Sequence, residues 1–135
     1  MLNISKTAKY ALRGLLYLMK NRDSGFIKID RIATEENIPL NYLRKIFQNL
    51  IKHKMVTSGV GPSGGVRFPE NKPDISAADV IYLFDGEPDL GECTLFGAGD
   101  CLLGEACPIH DECRHFQVQA WEKLKNFEIE SFLKT

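Results

Sequence analysis

The chain has 135 residues, 44% of them hydrophobic and 26% charged, enough to bury one core without disulfides or a metal to hold it together. Its formal net charge of −1 conceals a division: residues 1–68 carry twelve Lys/Arg against four Asp/Glu, a balance of +8, whereas residues 69–135 carry five against fourteen, a balance of −9. One half suits phosphate and the other repels it, which points to nucleic acid at one end of the molecule and argues against an electron carrier or a module used for protein contact alone.

The first apolar run is broken by Arg13 and Lys20 and has no small-residue cleavage site, so neither a signal peptide nor a membrane span is expected, and the expected location is cytoplasmic. Ser5 can cap a helix whose apolar positions Ala8, Ala11, Leu12, Leu15, Leu16 and Met19 recur at three- and four-residue spacing. Residues 21–25 end it. A short helix over residues 30–36 turns Ile29, Ile32 and Ala33 inward, and Asn37, Ile38 and Pro39 make a turn into a third helix.

That third helix is the most legible segment. Leu40, Leu43, Ile46, Phe47, Leu50 and Ile51 form one stripe, while Asn41, Arg44, Lys45, Gln48 and Lys52 share the opposite face. Two short helices with a tight turn, the second presenting amides and guanidinium outward, make a helix-turn-helix. Arginine pairs with guanine in the major groove and Asn or Gln with adenine, so Arg44, Asn41 and Gln48 are base-contact candidates. Lys45 and Lys52 are phosphate candidates, and Tyr42 belongs to the same DNA-binding set.

Strands are expected at residues 55–58 and 66–68, joined by the glycine-rich residues 59–65. No Gly-Lys-Ser/Thr closes this loop and no helix follows at once, which excludes a phosphate-binding P-loop. A wing fits better, with Ser58, Ser63 and the amides around Gly64 approaching DNA phosphates. After a linker over residues 69–73, Ser76 and Asp79 form a capping box that opens a helix carrying Ala77, Val80, Ile81 and Phe84 and expected to pack back on the winged domain. Residues 85–113 lack periodicity, are rich in glycine and contain all four cysteines, Cys93, Cys101, Cys107 and Cys113. In a reducing cytoplasm such a cluster signals metal, iron-sulfur or redox chemistry more often than disulfides, although the spacing matches neither ferredoxin nor zinc-ribbon patterns. Residues 114–133 read as a last helix, with Phe116, Ala120, Trp121, Leu124, Phe127, Ile129 and Phe132. That is more apolar surface than a lone terminal helix buries, so a partner subunit is expected.

Five segments, LNISKTAKYALRGL, NYLRKIFQNLIKHKMV, GPSGGV, ISAADVIYLFDG and CPIH followed by Trp121, run nearly end to end and resemble the IscR/NsrR-type winged-helix transcriptional regulators, the Rrf family. The resemblance implies a mostly α fold with a small β-hairpin wing. Residues 1–84 would form the winged helix-turn-helix DNA-binding domain, 85–113 a cysteine-rich sensor loop and 114–135 a C-terminal dimerisation helix. It further implies a homodimer on a palindromic operator in double-stranded DNA, with no membrane partner, small-molecule substrate or enzymatic activity. The family's cluster cysteines match Cys93, Cys101 and Cys107, and its histidine ligand matches His110, so an iron-sulfur cluster of 2Fe-2S type is implied as cofactor.

Three departures stand out. Seven residues separate Cys93 from Cys101 where IscR-like members have five, Cys113 is an extra thiol able to replace His110, and Val60 stands before the first wing glycine where the family often has arginine. Arg67 on the following strand is a candidate to compensate. Lys9 stands where nitric-oxide-sensing relatives supply a carboxylate before the matching Tyr10, which disfavours that subtype. The alternative within the same fold is a cluster-free thiol-redox regulator using Cys101, Cys107 and Cys113. His53, at a helix end, and His115 are read as bystanders.

Overall fold

The fold is taken from a computed structural model that describes residues 2–71, 73–90, 103 and 106–134. The first helix, α1 (Lys6–Lys20), starts where Ser5 Oγ accepts the Ala8 N–H at 3.1 Å. Ser5 also donates its backbone N–H to Asp85 at 2.9 Å and its hydroxyl to the same carboxylate, so one residue both caps the helix and ties it to a distant segment. Ala8, Ala11, Leu15 and Met19 lie on its buried face, as the spacing predicts, while Leu12 and Leu16 are half-buried and Leu18 is buried in addition. A 3₁₀ turn over Arg22–Ser24 closes it.

Helix α2 (Ile29–Glu36) ends on Asn37, which takes the left-handed conformation at φ 53° and lets the chain turn through Ile38 and Pro39 into α3 (Leu40–Lys52). Leu43, Ile46, Phe47 and Leu50 are buried in the main core with Leu15, Ile32, Ile38 and Val66. Burying each such side chain stabilises the fold by roughly 1.5–3 kcal/mol.

Strands β1 (Thr57–Gly59) and β2 (Gly65–Arg67) pair antiparallel with Thr57 opposite Arg67 and Gly59 opposite Gly65. They sit slightly toward the loop from the expected positions. Ile27 exchanges two 2.8 Å backbone hydrogen bonds with Val66, adding a one-residue third strand on the far side of β2. Gly65 makes this approach possible. Its φ is 140°, and a Cβ there would stand 2.3 Å from the Ile27 carbonyl oxygen.

Helix α4 (Ala77–Asp85) opens with the reciprocal Ser76–Asp79 capping box and packs on α1. Helix α5 (His110–Asn126) begins before the expected Arg114, so Cys113 lies on the helix instead of in the loop. Asp111 and Glu112 occupy its first turn, where carboxylates complement the amide dipoles. Trp121 is buried with Ala8, Ala78 and Ile81, forming a second cluster between α5, α1 and α4.

The last segment is not a continuous helix. Phe127 is extended, its carbonyl accepts the Ala77 N–H at 3.0 Å, and the Ile129 N–H reaches the Ile75 carbonyl at 2.9 Å. This short pairing puts Ile129, wholly buried, into the main core before a 3₁₀ turn over Ile129–Leu133. Arg22 and Glu130, 3.1 Å apart, hold that turn to the end of α1.

Candidate nucleic-acid interface and cysteine segment

All five polar residues of the expected reading face, Asn41, Arg44, Lys45, Gln48 and Lys52, are exposed on α3. Arg44 Nη2 lies 3.5 Å from the Asp30 carboxylate of α2. Both side chains are at least half exposed, so the pair contributes little to stability and leaves the guanidinium available.

Tyr42 is 39% exposed and fixes the start of α3 against α1. Its hydroxyl hydrogen-bonds Thr7, and its ring meets Tyr10 edge-on with centroids 5.6 Å apart. Lys6 and Arg13 in turn lie over the Tyr10 ring at 5.6 and 5.7 Å. Cations of the first helix thus stand beside the reading helix, a neighbourhood the helix-turn-helix pattern does not announce.

Behind α2, Tyr17 donates its hydroxyl to Glu35, which also accepts from Arg31 at 3.2 Å. Burial, then the hydrogen bond to Glu35, pushes the Tyr17 phenol up from its ordinary value. The Tyr17 hydrogen bond, then Arg31, holds the Glu35 carboxyl below its own. These contacts tie α2 to α1.

In the wing, Ser58 and Ser63 are exposed. Gly64 is buried, and its N–H donates to the Gly61 carbonyl at 3.0 Å, so that amide closes the turn. Val60 at the tip is 95% exposed. Arg67 is engaged at the base: its guanidinium stacks 5.4 Å from the Phe26 ring and pairs with Glu70 at 3.2 Å. The Lys28 ammonium, from the residue before α2, comes within 3.4 Å of the Gly61 carbonyl. Sequence reasoning passed over Lys28, because only the Ile27–Val66 pairing brings it to the wing.

Cys93 and Cys101 lie outside the described residues. Cys107 and Cys113 are free, half-buried thiols. The His110 N–H donates to the Cys107 carbonyl at 3.2 Å, and His110 and Cys113 are three residues apart in the first turn of α5. Two thiols and an imidazole within seven residues of chain are donors of the kind iron accepts. Among the described residues, no three His, Cys, Asp or Glu side chains already converge on a metal position. His53 caps α3, its Nδ1 3.0 Å from the Asn49 carbonyl, and His115 is exposed. Phe116 is 72% exposed on α5 although Trp121 of the same helix is buried. No helix among the described residues is long and apolar enough to cross a membrane.

Residues 4–135 match the protein family Rrf2, described as an iron-dependent transcriptional regulator. A protein of Aquifex aeolicus (strain VF5) named as an HTH-type transcriptional regulator is 33% identical over 132 residues, covering 96% of this chain and 84% of its own length. The HTH-type transcriptional regulator IscR of Sodalis glossinidius (strain morsitans) is 28% identical over 125 residues, covering 93% of this chain and 74% of its own. The match to IscR of Cronobacter sakazakii spans 66% of that protein's length. The solved structure of CymR (YrzC), the global cysteine regulator of B. subtilis, superposes with a TM-score of 0.75 at 25% identity, covering 98% of this chain and 96% of that one. A winged helix-turn-helix with an exposed reading face, together with a family match over almost its whole length, makes this chain a member of the Rrf2 family of transcriptional regulators.

Proposed function

We propose that this Rrf2-family regulator binds a palindromic operator as a homodimer and that an iron-sulfur cluster on its cysteine segment controls the binding. The observation that carries the cluster reading is the match to a family described as an iron-dependent regulator, supported by the free thiols of Cys107 and Cys113, which flank His110 in sequence. Cys93, Cys101 and Cys107 supply three thiolates, and His110 or Cys113 supplies the fourth ligand. A cluster held there would supply a redox- and iron-dependent state that is readily lost or oxidised. Asn41, Arg44 and Gln48 read bases, Lys45 and Lys52 hold phosphate, Tyr42 orients α3, and Ser58 and Ser63 approach the backbone from the wing. Gly64 serves by shaping that wing. The exposed Phe116, with Ile109 and Val118 more than a third exposed on the same segment, supports a second copy of the chain as the partner of α5.

The second reading is thiol control without a cluster, supported by the free thiols of Cys107 and Cys113 and by the likeness to CymR. Anaerobic purification, a visible absorption spectrum and iron and sulfide analysis of the wild type and Cys107→Ala separate the two. A brown wild-type protein whose iron and sulfide disappear in Cys107→Ala upholds the cluster. A colourless, iron-free wild type overturns it and leaves thiol control.

A further inference from the structure

Residues 59–65 contain no lysine or arginine, and Ser63 carries the only polar side chain among them. A wing that lies along DNA approaches a dense row of phosphates, and a tip without a cation forgoes the attraction that dominates affinity for duplex DNA. From this structure we infer that Lys28, outside the wing in sequence, is the wing's phosphate-binding cation. The inference rests on the DNA-binding reading above.

Three observations carry it. The first is position. Ile27 is locked to β2 by its two 2.8 Å hydrogen bonds to Val66, and Gly65 admits the Ile27 backbone where any side chain would collide, so the next residue is held at the edge of the wing. The second is reach. The Lys28 ammonium stands 3.4 Å from the carbonyl of Gly61, at the tip. The third is availability. Lys28 is exposed and precedes α2 without capping it through its side chain, and its contact with the Gly61 carbonyl is a long one to a neutral acceptor. Arg67, the cation that the hairpin itself carries on β2, is occupied by Phe26 and Glu70 at the base. A lysine is suited to this role because its ammonium binds phosphate as a point charge from many angles and needs no fixed bidentate geometry.

The test uses the full-length protein and an operator recovered by selection from a random duplex library. Affinity is measured across a salt series for the wild type, Lys28→Ala, Lys28→Arg and Lys125→Ala, the last removing an equal charge from α5. Circular dichroism checks that each variant folds. For Lys28→Ala, which removes one ammonium from each subunit of the dimer, the slope of log affinity against log salt becomes shallower by about two. Its binding at low salt weakens about 3- to 10-fold, by the same factor on operator and on unrelated duplex. Lys28→Arg and Lys125→Ala keep the wild-type slope.

A folded Lys28→Ala with wild-type slope and affinity overturns the inference while leaving the regulator intact. So does a loss confined to the operator, which would make Lys28 a reader of sequence. A wild type that binds no duplex at any salt removes the regulator reading itself, and that outcome is visible before any variant is made.

Discussion

Gly65→Ala tests how the wing is built. At φ 140° an alanine is strained, and its Cβ would lie 2.3 Å from the carbonyl oxygen and 2.6 Å from the carbonyl carbon of Ile27, contacts that only a backbone shift can relieve. Strain of this kind costs about 1–3 kcal/mol. Moving Ile27 away also opens its two hydrogen bonds to Val66, each worth about 1 kcal/mol net. The expected loss is therefore about 3–5 kcal/mol, a large share of the roughly 5–15 kcal/mol that holds a domain folded. Gly61→Ala supplies the comparison, since Gly61 also has positive φ, 83°, but a Cβ there meets no atom within 4 Å. Only strain remains, about 1 kcal/mol. Urea unfolding of both variants, read as midpoint shifts at unchanged m, gives the two losses directly. If Gly65→Ala cost no more than Gly61→Ala, the close approach of Ile27 to β2 would be wrong, and with it the placement of Lys28.

Four further outcomes are expected. Ile129→Ala empties a fully buried site and costs about 2–5 kcal/mol in the same unfolding assay, although the residue lies near the end of the chain. Arg44→Ala weakens operator binding by about 1–3 kcal/mol and blurs the preference at one base position, measured by competition between operator variants; equal losses on operator and random duplex would reassign it to phosphate. Phe116→Asp puts a charge on the exposed apolar surface of α5 and shifts the sedimentation of the chain toward monomer with its circular dichroism unchanged. Tyr17→Phe flattens the acid limb of stability against pH. The ionised Glu35 is favoured in the fold, so its contribution is present above its ordinary value of 4.5 and fades as pH falls through the lowered one, and Tyr17 is the largest cause of that lowering.

The helices were legible where local chemistry and burial agree. Ser5 and the Ser76–Asp79 pair mark two helix starts by side-chain caps that need no tertiary information, and the stripe from Leu40 to Ile51 fixes which side of α3 is inward. The tail was not legible in this way. A helical pattern runs on through Phe127 and Ile129, but Ile129 enters the core only if Phe127 becomes extended and pairs with Ala77, and the burial of Ile129 outweighs the local preference. The start of α5 was missed because the glycine-rich sequence that precedes it hides the acidic first turn formed by Asp111 and Glu112.

The same division runs through the site. Periodicity identifies the outward residues of α3, and all five are exposed, because facing solvent is a property of one helix alone. It is silent on what other elements bring to that surface: Asp30 beside Arg44, Thr7 and Tyr10 against Tyr42, and Lys28 at the wing. These pairings depend on how α1, α2 and the hairpin pack, which no spacing within α3 encodes. The Asp30 contact also bears on recognition. To meet a base, Arg44 must leave a carboxylate, but an exposed pair of this kind is worth only about 0–1 kcal/mol, less than the 1–3 kcal/mol of a bidentate base contact. Asp30 can therefore hold the guanidinium in place between encounters without opposing its transfer to DNA.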